Sequence, residues 1–153
     1  MNYLKTIAIA GITSLVSVAV LTSVPAKAQT CTALPIVDGK GTLIQKSVSP
    51  PGTGITRNNW STDFVVPSSQ SFRRYVARIV PKNGGEYDLA MSLKYNNDTA
   101  DKAFIRTLEL AEGKPYTIQG ASRNSATPYQ VNVSVGGVRA IGNSYTVSML
   151  GCN

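Results

Sequence analysis

The strongest constraint on what this chain can fold into is an alternation of period two. From Glu86 to Tyr95, the residues Tyr87, Leu89, Met91, Leu93 and Tyr95 alternate with Glu86, Asp88, Ala90, Ser92 and Lys94. Only a strand sends successive side chains to opposite faces, so one face turns inward and the other stays wet. Upstream, Tyr75, Ala77 and Ile79 alternate with Arg74, Val76, Arg78 and Val80, and Pro81-Lys82-Asn83-Gly84-Gly85 supplies turn chemistry between the two runs. With odd-numbered residues inward on both strands, the expected hairpin puts Val80 opposite Glu86 and Arg78 opposite Asp88.

The same period marks further strands over 41–48, 62–66, 114–121, 128–135 and 144–150. The alternation is carried in the last three by Tyr116/Ile118, Tyr129/Val131/Val133/Val135 and Tyr145/Val147/Met149. Pro- and Gly-bearing loops separate them at 49–54, 67–71 and 120–128. Segment 99–112 is ambiguous, because Phe104, Ile105, Leu108 and Ala111 also match one helical face behind Asp98 as a cap. A strand is preferred there: Phe104, Leu108 and Leu110 share a face in period two, although Arg106 falls on that face too. The pattern predicts an all-β fold, an antiparallel sandwich of roughly seven to nine strands.

The beginning of the chain has a different character. Lys5, the largely apolar run Ile7 to Leu21 and the small-x-small triplet Ala26-Lys27-Ala28 form a cleavable signal peptide over 1–28, leaving one sandwich domain over 29–153. The run is shorter than a membrane span and broken by Gly11, Thr13, Ser14 and Ser17, so no permanent span is expected and the protein should be secreted or periplasmic. Removing Lys5 and Lys27 from 15 basic residues leaves 13 against 8 acidic ones, a charge of +5. That balance favours acidic partners without naming one. No basic run is longer than Arg73-Arg74, and no nucleic-acid partner is expected. In an oxidising compartment the two cysteines, Cys31 and Cys152, are expected to pair and clasp the ends of the domain.

The chain contains no histidine, which removes Ser-His-Asp and Cys-His catalysis and the commonest transition-metal ligand. No cofactor is expected. Carboxylate chemistry survives on composition, Glu86 and Asp88 being two carboxylates that point the same way from one strand. Asn97, Asp98 and Asp101 offer hard oxygen donors to calcium in an Asn/Asp-rich turn that lacks the glycine and closing glutamate of an EF-hand loop.

Two features point to binding. Arg73, Arg74, Arg78 and Lys82 gather positive charge around one strand and its turn, a pattern suited to sulfate, phosphate or carboxylate groups. Trp60, the one tryptophan, offers a stacking surface for a sugar if exposed and a core side chain if buried. Glu86-Tyr87-Asp88-Leu89, the Leu108-x-Leu110-x-x-Gly113-x-x-Tyr116-x-Ile118 spacing and the Ser144-Tyr145-Thr146-Val147 strand together resemble the bacterial pre-peptidase C-terminal domain. That resemblance implies a jelly-roll-like sandwich with an accessory or binding role and brings no catalytic residues. The expectation is therefore an exported, non-enzymatic binding or accessory module whose partner is an acidic polymer, an envelope glycan or a secreted protein. A carboxylate-dependent secreted hydrolase is the alternative.

Overall fold

The computed structural model describes residues 29–53, 55 and 57–153; the expected signal peptide lies outside them. Nine strands follow one another: β1 (Cys31–Ala33), β2 (Leu43–Ser47), β3 (Ser61–Val65), β4 (Arg74–Pro81), β5 (Gly85–Lys94), β6 (Ala100–Leu110), β7 (Tyr116–Ala121), β8 (Gln130–Gly136) and β9 (Ser144–Cys152). One sheet runs β1-β9-β4-β7, with β2 sharing the outer edge of β9 beside β1; the other runs β3-β8-β5-β6. All pairings are antiparallel. From β2 to β9 this is the order of a jelly roll, and the expected all-β sandwich is what forms.

The core is made by the alternating residues. Tyr75, Ala77 and Ile79 of β4 are fully buried against Tyr87, Leu89, Met91 and Leu93 of β5, with Val131, Val133, Val135, Tyr145, Val147 and Met149 beside them. Cys31 is bonded to Cys152, its register partner, so β1 is fastened covalently to β9.

The hairpin between β4 and β5 does not form. The two strands lie in opposite sheets: β4 pairs with β7 and β9, whereas β5 pairs with β6 and β8. Residues 82–84 cross the sandwich, held by Lys82 N–H donating to Ser144 O at 2.7 Å, Ser144 N–H to Asn83 Oδ1 at 2.9 Å and Tyr87 O–H to Asn83 O at 2.8 Å. Arg78 accordingly neighbours Thr117 and Ser148, and Asp88 neighbours Thr107 and Gly136. Inward parity is satisfied equally by strands paired side by side and by strands stacked face to face, which is why the period gave the right faces and the wrong partner.

Segment 100–110 is a strand, as preferred. Its pairing with β5 shifts between Met91↔Phe104 and Ser92↔Lys102, leaving Ala103 as the extra residue of a bulge. The bulge exchanges parity, so Asp101 lies opposite buried Leu93, while beyond it Phe104 and Leu108 oppose buried Met91 and Tyr87. Arg106, opposite Leu89, stays exposed on this edge strand with its guanidinium carbon 6.0 Å from the Phe104 ring centre. An inward-pointing charge on an edge discourages pairing with another chain. Tyr129, expected inward, is 44% exposed and stands just before the first paired residue of β8.

Candidate functional site

The five strands of the first sheet contain no aspartate or glutamate; their charges are Lys46, Arg74 and Arg78. The four strands of the second sheet carry Asp63, Glu86, Asp88, Asp101 and Glu109 against Lys94, Lys102 and Arg106, five acids to three bases. Charge is thus segregated between the two sheets.

On the first sheet the pleat sends even-numbered residues of β4 outward, so Arg74 and Arg78 share the outer face with Val76 between them, roughly 13 Å apart along the strand at about 3.3 Å per residue. Thr117 and Ser148 flank Arg78, and Gln119 flanks Val76. Arg78 is exposed. Arg74 is half-buried: its Nη2 donates to Gln29 Oε1, and its Nε–H is buried with no partner among the described residues. Lys46 points the other way, into the gap between sheets, donating to Ser61 O at 2.7 Å and Thr62 Oγ1 at 3.3 Å. Burial pulls its pKa down against the opposing influence of Asp63. The outer face therefore presents two guanidinium groups among hydroxyls and amides, with no carboxylate on the same strands to neutralise them.

The other sequence-selected residues do not join this pair. Arg73 precedes β4 and lines a groove at one end of the sandwich, while Lys82 sits in the crossing at the opposite end of the strand. Trp60 is half-buried beside β3. Its Nε1–H donates to Ser49 O at 2.8 Å, and its ring lies against Gly136, where a Cβ would come within 2.2 Å of it.

The groove consists of three adjoining depressions of about 720, 300 and 360 Å³, formed by the loops at 66–73, 95–97 and 121–129. Sequence reasoning marked 67–71 and 120–128 as surface loops and Asn97 as a calcium candidate, and did not bring these segments together. No aspartate or glutamate lines them. Arg123 on the rim donates to both carboxylate oxygens of Asp101, at 2.9 and 2.6 Å, and to Thr99 Oγ1 at 2.9 Å, with its guanidinium carbon 4.2 Å from the Tyr95 ring centre. Those bonds hold the Asp101 carboxyl below its usual range.

This pairing also bears on the calcium candidates. Both Asp101 oxygens face Arg123, and Asn97 Oδ1 accepts from Thr99 Oγ1 at 2.6 Å. Asp98 turns the backbone at φ 58°. No cluster of three or more acidic, Cys or His side chains suited to a metal occurs among the described residues. Glu86 and Asp88 line a separate depression of about 220 Å³, where Glu86 accepts from Arg139 at 3.3 Å and Asp88 from Thr107 Oγ1 at 2.5 Å.

No family model matches the chain, and no curated protein matches it. Among solved structures it is similar to a family 29 carbohydrate-binding module, with TM-score 0.45, 9% identity and coverage of 81% of this chain and 88% of that one. It is also similar to the family 11 carbohydrate-binding module of a cellulosomal cellulase of Clostridium thermocellum, with TM-score 0.39, 10% identity and coverage of 82% and 83%. Similarity at this level leaves the ligand to be argued from this chain's own surface. Among the described residues, no helix is long and apolar enough to cross a membrane.

Proposed function

We propose that this chain is an exported, non-catalytic binding module for acidic polysaccharides, which it takes across the outer face of the five-stranded sheet. The observation that carries the reading is the segregation of charge: Arg74 and Arg78 stand on strands without a single carboxylate, among Thr117, Gln119 and Ser148. A guanidinium presents a planar fork of donors to sulfate or carboxylate, and the surrounding hydroxyls and amides suit a hydroxylated chain. The strand fixes the spacing of the two arginines, so binding orders their side chains but not the backbone that carries them. The hydrolase alternative has no support in the large groove, whose walls lack carboxylates.

Retention on immobilised heparin, a sulfated polysaccharide, tests this. Arg74→Ala and Arg78→Ala should each lower the eluting salt concentration, and together they should weaken binding several-fold, as expected for about 1 kcal/mol or less per exposed charged contact. Lys102→Ala on the opposite sheet should elute like the wild type. Equal retention of the double variant, or no retention of the wild type, would overturn the proposal.

A further inference from the structure

We propose that the end groove is a second binding site, separate from the arginine face, and that it takes a short oligosaccharide containing uronic acid. Its ligand class follows from which groups the walls leave free. Part of the wall backbone is satisfied internally: Gln70 N–H donates to Pro67 O at 3.0 Å, Ser122 N–H to Arg73 O at 3.1 Å, Val66 N–H to Tyr129 O and Tyr129 N–H to Lys94 O, both at 2.9 Å. Side-chain hydroxyls and amides remain, from Ser69, Gln70, Asn96, Asn124 and Ser125, and these are the groups that hydrogen-bond sugar hydroxyls.

Two further side chains narrow the class. Tyr129 stands in the wall of the second depression, 44% exposed, where its ring face can cover the apolar side of a pyranose. At the first depression Arg73 is exposed and has no carboxylate partner among the described residues, whereas Arg123 is neutralised by Asp101. The two depressions share Ser71 and Thr127, whose hydroxyls are 3.4 Å apart. A ligand along the groove thus meets an aromatic ring and then an uncompensated guanidinium, which matches a sugar chain bearing a carboxylate.

An NMR titration of the full folded domain with tetragalacturonate and with a hyaluronan tetrasaccharide tests this. At least one should perturb resonances in 68–73, 95–97 and 122–129. Tyr129→Ala should weaken that binding roughly three- to tenfold, and Tyr129→Phe should retain it. Arg73→Ala should weaken it about tenfold and remove the preference over the methyl ester of the same oligosaccharide. Arg74→Ala/Arg78→Ala should bind the tetrasaccharide normally even where heparin retention is lost, which separates this site from the sheet face. Binding of neither probe, unchanged affinity in Tyr129→Ala, or perturbations confined to the sheet face would overturn the inference.

Discussion

Trp60 and Gly136 are packed so closely that a Cβ on residue 136 would lie 2.2 Å from Cδ2 of the indole. Gly136 ends β8 and Trp60 leads into β3, the strand paired with it, so the contact seals the outer edge of the second sheet. Gly136→Ala should destabilise the fold by about 1–3 kcal/mol through overpacking, read as a lower urea midpoint at unchanged slope. An unchanged midpoint would show that the ring moves aside freely.

The Cys31–Cys152 bond closes a sequence separation of 121 residues. Reduction, or Cys31→Ser with Cys152→Ser, should cost on the order of 4–5 kcal/mol in the chain-entropy model. Thermal unfolding with and without a thiol reductant measures it, and β1, only three residues long, should be the first strand to lose amide protection.

What the alternating pattern made legible was the set of inward faces, because a pleated strand has only two. Partners were less legible: from β2 to β9 a jelly roll moves the chain to the other sheet at most connections, and over that span β5–β6 is the one pair of consecutive strands that share a sheet. The arginines were found as a cluster in sequence, yet Arg73 precedes the paired strand and turns to the groove while Arg74 and Arg78 obey the pleat. Tyr129 was assigned to the core by extending the period one residue beyond the first paired residue of β8, where the alternation no longer holds. The groove itself is assembled from loops distant in sequence, which no local pattern reports.

Buried phenols give the fold an alkaline limit. Desolvation, assisted by Tyr95, pushes Tyr75 from 10.0 up to about 12, and burial also raises Tyr87, Tyr95 and Tyr145. A phenol whose pKa is raised in the folded state favours folding fully below its unfolded value, and that contribution is lost as pH rises through the folded value. Stability should therefore hold up to about pH 10 and decline between about 10 and 12. Phenolate absorbance should show a late group of tyrosines ionising together with loss of structure; early independent titration of all of them would contradict this.

Arg123 pins the 122–127 loop to Asp101 and Tyr95. Arg123→Ala should speed amide exchange in that loop while leaving the sheets protected, and Arg123→Lys should restore little because a lysine lacks the bidentate fork. The Asp101 pKa is depressed in the folded state, so its contribution is present above the ordinary value of 3.8 and lost on acidification below it. The same loop should loosen in that range.

The uncompensated arginines of the first sheet are tested most directly by following the Nε–H resonances of Arg74 and Arg78 while a heparin-derived oligosaccharide is added. Both signals should shift together and saturably, with Thr117, Gln119 and Ser148 amides moving alongside and the strands of the other sheet still. Stationary arginine signals, or shifts confined to β3, β5, β6 and β8, would contradict the assignment of the binding face.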